Sequence, residues 1–148
     1  MEKAIRRYLQ SGKFEGVPLT RSRNMAAIRG FGNYSTEWRL RAALMRAGIS
    51  GWHLGSHMLG RPDFYVPERK VAIFVDGCFW HGCPKCGHTP KTRSNFWKAK
   101  LARNKRRDKE TIRQLARAGI IVLRFWEHDL KYHLNNCVET IRGVLQSE

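Results

Sequence analysis

An almost entirely apolar segment that runs directly into a cysteine-rich loop constrains the fold of this chain more than any other feature. The segment VAIFVD (Val71–Asp76) lacks the polar and apolar alternation of a half-buried strand, so it predicts a central strand covered on both faces. One glycine separates it from the loop CFWHGCPKC, whose cysteines are spaced C-x4-C-x2-C. The fold must therefore bury this strand and also accommodate three clustered thiols at its end.

The segments around this strand predict an α/β fold. Helical spacing of apolar residues covers 35–48, 94–119 and 135–145, and Gly48 and Gly119 end the first two segments. Ser35 or Thr36 is expected to cap the first helix and Ser94 the second. Further strands are expected at 49–56, 62–66 and 120–126, the last of them buried. This order predicts a single domain with a mixed central sheet flanked by helices.

The charge of the chain points to a polyanionic partner. The sequence has 28 Lys and Arg against 12 Asp and Glu, a net charge of +16. DNA or RNA is the first candidate partner, and a membrane surface is the alternative. No segment offers the roughly 18 consecutive apolar residues of a spanning helix, and the N-terminal sequence lacks the apolar core of a signal peptide. We therefore expect a cytoplasmic protein, in which thiols stay reduced.

Basic residues are concentrated on the long helix expected at 94–119. A helix with charge this one-sided favours phosphate contacts, although a solvated helix face is the alternative. Arg21 and Arg23 add charge in an N-terminal arm. The basic residues of the helix are Lys98, Lys100, Arg103, Lys105, Arg106, Arg107, Lys109, Arg113 and Arg117.

Three cysteines within one short loop indicate a metal site. Cys78, Cys83 and Cys86 supply three soft ligands, and a structural Zn²⁺ takes four. The candidates for the fourth ligand are His88, His81, His128 and Cys137. If the strand at 120–126 lies parallel to Val71–Asp76, His128 emerges at the same sheet edge as Cys78, which favours His128.

Two aspartates flank neighbouring strands and predict a second metal site. Asp63 begins one strand and Asp76 ends the next, so their carboxylates are expected to meet at one sheet edge and bind Mg²⁺. Glu37 could contribute through water, although a helix-dipole role is the alternative for it and turn chemistry the alternative for the aspartates. His81 can serve as a general base near neutral pH; otherwise it is a loop histidine or a zinc ligand.

Six ordered segments resemble the very-short-patch-repair (Vsr-type) mismatch endonucleases. The resemblance extends over most of 20–130, so we expect a Vsr-like endonuclease domain at 20–148 preceded by an N-terminal extension at 1–19. The matching segments are TRSRNMAAI, TEWRLRAAL, GRPDF, VAIFVDGCFWHGCP, KTRSNFWKAKLARNKRRD and GIIVLRFWEHDL.

The resemblance implies a restriction-endonuclease-like fold with a structural zinc. It also implies Mg²⁺-dependent nicking of duplex DNA 5′ of the mispaired thymine in a T·G mismatch, the product of 5-methylcytosine deamination. Asp63 and the carbonyl of Val75 would bind Mg²⁺, His81 would be the catalytic histidine and Glu37 a supporting acid. The zinc ligands would be Cys78, Cys83, Cys86 and His128.

This sequence departs from the family pattern at two places. Val75-Asp76 stands where the best-studied pattern has threonine-histidine, so Asp76 replaces an active-site histidine and is expected to bind metal or hold water. At Cys83 this sequence has cysteine where the family can have histidine, and at His128 it has histidine where the family can have cysteine. Both replacements keep a donor that can bind zinc.

The resemblance also assigns DNA contacts. Phe79, Trp80 and Trp97 would wedge into the base stack beside the mismatch, and Met25 would enter from the minor groove. From their charge, and independently of the resemblance, Lys98, Arg103 and Arg106 on the helix and Arg21 and Arg23 on the arm are expected to contact phosphates. A core position is the alternative for Trp97, and a cap over the zinc loop for Phe79 and Trp80.

We expect a monomer with a functional link to a cytosine methyltransferase and mismatch-repair proteins. The alternatives are a Vsr-like nuclease with another DNA target and a non-catalytic, zinc-stabilised DNA-binding module. The pairing of Asp63 with His81 argues against the module, because a protein that only binds phosphate gains nothing from an acid on that surface.

Overall fold

A four-stranded mixed sheet organises the protein in the computed structural model, which describes residues 34–55 and 57–147. The strands lie in the order β1 (His53–Leu54), β2 (Phe64–Val66), β3 (Val71–Asp76) and β4 (Ile121–Trp126). β2 pairs antiparallel with both β1 and β3, whereas β3 pairs parallel with β4. The expected mixed α/β architecture is therefore present among the described residues.

Helices connect and cover these strands. A π-helical turn (Tyr34–Trp38) leads into α1 (Arg39–Arg46), and a 3-10 turn (Pro67–Arg69) joins β2 to β3. The long helix α2 (Ser94–Arg117) provides the crossover that a parallel pair of strands requires. Two further helices, α3 (Glu127–Tyr132) and α4 (Leu134–Gln146), follow β4. No described helix combines the length and apolarity needed to cross a membrane.

The alternation of side chains along β3 divides the core into two layers. All six residues of β3 are buried, as predicted. Val71, Ile73 and Val75 join a cluster with residues of α1, α3 and α4, while Ala72 and Phe74 pack with Leu115 of α2. Because side chains alternate along a strand, Asp76 shares the face of Ala72 and Phe74. A buried carboxylate is thus directed to the side of the sheet that α2 covers.

β4 differs from its prediction because it is an edge strand. Ile121 is 49% exposed and the other five residues are only half-buried, so the interpretation of this segment as a second buried strand is wrong. The described sheet ends at β4, whose second edge has no neighbouring strand there. The parallel pairing with β3, on which the placement of His128 depended, is confirmed.

The predicted helix caps are also wrong. Thr36 lies inside the π-helical turn, and Trp38 precedes α1 without a side-chain cap. At α2 the N-cap is Arg93, with a φ of 55°, while Ser94 is already helical. A hydroxyl caps a helix only from the residue just outside it. The short helix α3 was not predicted, and the predictions for 1–33, including Arg21, Arg23 and Met25, lie outside the described residues.

Candidate active site and metal centre

Three cysteines and one histidine converge at the C-terminal ends of β3 and β4. Cys78 follows β3 closely, and His128 is the second residue of α3, directly after β4. Because the two strands are parallel, both residues leave the sheet at the same end. Cys83 and Cys86 return to this point through a turn in which Cys83 N–H donates a 2.8 Å hydrogen bond to the carbonyl of Cys78. The ligand atoms of all four side chains lie within 4.8 Å of one another.

The distances in this cluster fit a tetrahedral zinc site. His128 Nδ1 lies 3.3, 3.6 and 3.5 Å from the Sγ atoms of Cys78, Cys83 and Cys86, respectively. The Sγ atoms of Cys83 and Cys86 are 3.6 Å apart. With Zn–S bonds of about 2.3 Å and Zn–N bonds of about 2.0 Å, a tetrahedron has edges of about 3.5–3.8 Å. The donor set and its spacing therefore suit Zn²⁺, with His128 as the fourth ligand.

The other candidates for the fourth ligand have different positions. His81 Nδ1 contacts Asp108, the ring of His88 lies 5.6 Å from that of Phe79, and Cys137 is buried in the main core. Cys137 is therefore a small buried residue of the core and lies apart from the cluster.

The crowding of thiols in the cluster also favours a cation. A hydrogen bond with the thiol of Cys78 is the largest of the effects that raise the pKa of Cys86, followed by burial. A zinc ion reverses this effect, because it binds the deprotonated thiol. On the far side of the His128 ring, Nε2 is buried and lies 3.2 Å from Asp129 Oδ1, close enough for Asp129 to orient the ring. The geometry of this contact is not that of a hydrogen bond, so His128 Nε2 has no hydrogen-bond partner among the described residues.

Asp63 directs its carboxylate toward the backbone of β3. Val75 N–H donates a 2.7 Å hydrogen bond to Asp63 Oδ2. The pKa of Asp63 is raised to about 6, chiefly by burial and also by the carboxylates of Glu37 and Asp76, although the bond from Val75 opposes the rise. The carboxylates of Glu37 and Asp76 are therefore close enough to disfavour the charged form of Asp63, and a divalent cation would relieve that repulsion.

Asp76 is held by an arginine that the sequence analysis did not single out. Arg124 on β4 places both Nε and Nη2 2.6 Å from Asp76 Oδ2. The second oxygen, Oδ1, lies 3.6 Å from His81 Nδ1. Burial alone would lower the pKa of Arg124, but Asp76 outweighs it and the net effect raises that pKa. The structure thus brings Asp76 near Asp63, but in a buried ion pair.

His81 forms a close pair with a second acid that was not singled out. Its Nδ1 lies 2.6 Å from Asp108 Oδ2, on α2. Burial would raise the pKa of Asp108, but His81 and then Arg124 outweigh it and the net effect lowers that pKa. An ionised Asp108 accepts a hydrogen bond from the protonated Nδ1 of His81. In a neutral imidazole this leaves Nε2 as the acceptor. This tautomer is the one that a general base requires.

An open cleft borders the His81–Asp108 pair. Its volume is about 430 Å³, and His81, Asp76, Asp108 and Arg124 contribute to its wall. Lys105 and Lys109 of α2 line the same cleft, so exposed positive charge surrounds the acidic groups. A phosphate group that approaches His81 would therefore meet a basic rim.

An aromatic cluster lies beside the zinc loop. The rings of Phe79, Trp80 and Trp97 have centroids between 5.1 and 5.9 Å apart, and all three are half-buried. Lys100 Nζ lies 5.0 Å from the centroid of Trp80 and 5.4 Å from that of Trp97. Trp97 is therefore not a core residue of α2, in contrast to its neighbour Phe96, which is 3% exposed. The cluster offers a partly exposed apolar surface with a cation over it.

Arg124 and Asp108 were not identified from the sequence because their sequence signals are weak. Arg124 interrupts an otherwise apolar strand, IVLRFW, and a charge in such a strand requires a partner. Asp108 is one of only two acids in the basic stretch of α2, where an acid is typical of a simple offset to the surrounding charge. A pairing between these residues and Asp76 depends on strand register, which one sequence does not reveal.

Comparison with known proteins gives one family. A family model described as DNA mismatch endonuclease Vsr matches residues 16–88, a range that includes Asp63 and the three cysteines of the loop. The type II nicking enzyme V.NaeI of Lentzea aerocolonigenes is 44% identical over 114 residues, which cover 74% of this chain and 68% of that protein. The DNA mismatch endonuclease Vsr of Escherichia coli (strain K12) is 39% identical over 114 residues, which cover 76% of this chain and 72% of that protein. The type II nicking enzyme V.NmeDIP of Neisseria meningitidis serogroup C is 36% identical over 114 residues, which cover 76% of this chain and 77% of that protein.

Proposed function

Because the chain belongs to the Vsr family of DNA endonucleases, we propose that it nicks duplex DNA on the 5′ side of the mispaired thymine in a T·G mismatch. Family membership makes the protein a DNA endonuclease, and the mismatch target is the proposal. The observation that supports it best is the His81–Asp108 pair at 2.6 Å, which stands in a cleft bordered by lysines.

Asp63 and the backbone carbonyl of Val75 would hold Mg²⁺, and Glu37 would support it through water. The pKa of Asp63 is raised chiefly by burial and also by the nearby carboxylates of Glu37 and Asp76, whose negative charge such a cation would offset. When bound, the metal would supply positive charge against the negative charge that develops on the phosphodiester. The protein itself contributes the geometry: the bond from Val75 N–H fixes the orientation of the Asp63 carboxylate.

His81 would remove the proton from the attacking water. Asp108 holds Nδ1 as the donor, so the lone pair of Nε2 is available for that proton. The imidazolium that forms is then stabilised by the ionised Asp108. A general base of this kind contributes about 10²–10⁴-fold to a rate.

The aromatic cluster would select the mismatch. Phe79, Trp80 and Trp97 form one partly exposed group beside the zinc loop, and apolar side chains inserted between base steps cost about a few kcal/mol of unstacking. A mismatched pair opens more cheaply than a matched one, so the insertion favours mismatched sites. Lys98 and Arg106 are exposed on α2 and Arg103 is half-buried there, where they would contact phosphates.

The wider assignments are part of the same proposal. We expect the restriction-endonuclease-like version of the mixed α/β fold, with a structural zinc, and a cytoplasmic monomer, since a single nick requires a single active site. The methylcytosine origin of T·G mismatches gives the functional link to a cytosine methyltransferase and to mismatch-repair proteins.

A nicking assay with matched substrates tests the target. Labelled duplexes that differ only in one T·G or T·A pair are incubated with the protein and Mg²⁺, in several sequence contexts. We expect nicking of the T·G duplex only, 5′ of the thymine, and loss of nicking in Asp63→Ala and His81→Ala. Equal nicking of both duplexes would overturn the mismatch proposal.

The same assay also tests for a different DNA target, because two of the relatives above are named type II nicking enzymes. Nicking that depends on a sequence motif, with or without the mismatch, would support a Vsr-like nuclease with another DNA target. Tight binding without nicking in Mg²⁺ or Mn²⁺ would instead support the non-catalytic module.

A further inference from the structure

Asp76 and Arg124 form a buried ion pair next to the proposed catalytic groups. We propose that this pair is a positioning device: Arg124 keeps Asp76 out of the magnesium site and orients Asp108 for its bond to His81. The inference rests on the proposed function, and it revises the expectation that Asp76 binds Mg²⁺.

One guanidinium reaches both acids that flank His81. Arg124 Nε and Nη2 each lie 2.6 Å from Asp76 Oδ2, and Nη2 also lies 3.5 Å from Asp108 Oδ2. The guanidinium carbon is 5.4 Å from the ring centroid of Phe74, which supports it from below. Since a guanidinium is a rigid planar group, its position fixes both carboxylates at once.

One oxygen of Asp76 is already engaged, and the other is directed at His81. Oδ2 accepts from Arg124, Oδ1 faces His81 Nδ1 at 3.6 Å, and the residue is only 5% exposed. For Asp76 Oδ2 to bind a divalent cation, it would have to give up the 2.6 Å contacts with Arg124 and leave this half-buried arginine with only the 3.5 Å contact to Asp108, which is unfavourable. Asp63 differs, because Oδ2 of its carboxylate accepts a hydrogen bond from the neutral N–H of Val75. A cation bound at Asp63 would therefore not take a carboxylate away from an arginine.

The position of Arg124 follows from strand register. Arg124 is the partner of Phe74 in the β3–β4 pair, two residues before the partner of Asp76. Side chains at this spacing share one face, so Arg124 and Asp76 meet on the side of the sheet that carries α2 and Asp108. Packing alone gives no reason for an arginine in this strand, whereas two nearby carboxylates do.

The shared oxygen of Asp108 is the link to catalysis. Asp108 Oδ2 lies 2.6 Å from His81 Nδ1 and 3.5 Å from Arg124 Nη2. Arg124 therefore restrains rotation of the Asp108 carboxylate, which in turn fixes the plane and tautomer of the imidazole. Arg124 acts through Asp108 and His81 and need not touch the substrate.

Metal binding without DNA tests the first half of the proposal. Mn²⁺ is titrated into the zinc-loaded protein, and free Mn²⁺ is measured by electron paramagnetic resonance. We expect Asp63→Asn to weaken Mn²⁺ binding by about tenfold or more, the loss typical of a removed ligand, and Asp76→Asn to change it by less than about twofold. If Asp76→Asn weakens binding as much as Asp63→Asn, Asp76 is a ligand and the proposal is wrong.

Single-turnover nicking with separate DNA-binding measurements tests the second half. We expect Arg124→Met to nick about 10–100-fold more slowly with nearly unchanged DNA affinity, as for a lost orienting partner, and Arg124→Lys to recover part of the rate. Arg142→Met is the matched control, because Arg142 pairs with Glu139 on α4, away from this site. It should nick at the wild-type rate.

The double variant Asp76→Asn/Arg124→Met sharpens this result. If the two residues act as one unit, it should be no slower than Arg124→Met alone. A folded Arg124→Met that nicks at the wild-type rate overturns the proposal. If Arg124→Met does not fold, Arg124→Lys is the deciding variant. Nicking at the wild-type rate by Arg124→Lys would also overturn the proposal.

Failure of the proposed function would be visible separately. A wild-type protein that nicks neither the T·G nor the T·A duplex overturns the proposed function, whereas the manganese titrations of the Asp63 and Asp76 variants still decide which aspartate binds metal.

Discussion

The zinc cluster and the acidic site lie at the same end of β3, yet they are built in opposite ways. In the zinc cluster, four side chains point at one centre, and their donor atoms are within 4.8 Å of one another. In the acidic site, the charges are spread along a chain of contacts from Asp76 through Arg124 and Asp108 to His81, with Asp63 apart from it. The first arrangement is suited to a cation at its centre, whereas the second supplies most of its own counter-charge.

This difference separates two tasks. A closed set of soft donors would stabilise a loop that has little core of its own. The loop is tightly turned, because an added Cβ at Gly87 would collide with the carbonyl oxygen of Cys83. A chain of alternating charges leaves one imidazole nitrogen and one carboxylate available for chemistry. The comparison therefore predicts that removal of a zinc ligand destroys structure, while changes in the acidic site alter rate more than fold.

The largest effect should follow loss of a zinc ligand. In His128→Ala we expect loss of bound zinc, a collapsed loop and no detectable nicking, because structural zinc contributes about 10–16 kcal/mol in small zinc domains. Zinc content by a chelating dye, circular dichroism and nicking measure this together. Cys137→Ala is the control, since this cysteine lies in the main core, and it should keep its zinc. A zinc-free His128→Ala protein that nicks normally would contradict the division of tasks.

Asp63→Asn should separate activity from stability. We expect nicking to fall about 10³-fold, equivalent to the several kcal/mol that a bound metal supplies to a charged transition state. Without Mg²⁺, the same change should stabilise the protein at pH 8, because the pKa of Asp63 is raised to about 6 in the folded state. Its charged form is therefore disfavoured by folding, by at most about 3 kcal/mol at 1.36 kcal/mol per pKa unit.

The sign of this effect determines its pH window. A folded-state pKa above the unfolded value of 3.8 means that stability is lost as pH rises from about 4 to 6. The stability gained through Asp63→Asn should thus be complete above pH 6 and absent below pH 4. Urea unfolding of zinc-loaded protein at pH 8 and at pH 5, where the gain should already be smaller, measures it, with the exposed Glu68→Gln as control. An equal effect at both pH values would contradict the burial of this carboxylate.

The zinc cluster was the more predictable region because its information is local. Three ligands lie within nine residues, and a single assumption, parallel pairing of β3 with β4, placed the fourth. The Asp76–Arg124 pair required the register of two distant strands and the position of Asp108 on a helix between them. The caps were mispredicted for a related reason: a π-helical turn and an arginine with positive φ precede the helices, and neither has a sequence signature.

Asp108→Asn should give an intermediate effect. An amide in place of the carboxylate removes the charge that stabilises an imidazolium and presents either oxygen or nitrogen to Nδ1, so the required tautomer is no longer enforced. We expect single-turnover nicking to slow about 10–100-fold with unchanged zinc content, as is typical of a lost orienting partner. Glu110→Gln, at an exposed position two residues along α2, is the matched control. Loss of zinc in Asp108→Asn would show that the two regions are not separate.

The smallest effect should come from the exposed basic residues of α2, which belong to neither region. Arg106 is exposed, so Arg106→Ala removes at most one phosphate contact and leaves both sites intact. The slope of log affinity against log salt should fall by about 0.9, because one fewer counterion is released on binding to duplex DNA. Fluorescence anisotropy at several salt concentrations measures this slope, and Arg142→Ala on α4 is the control. At saturating enzyme the nicking rate should be unchanged, because this charge acts on encounter and register and not on the chemical step. A slower saturated rate in Arg106→Ala would place the basic helix inside the catalytic arrangement and would end the separation between binding charge and site charge.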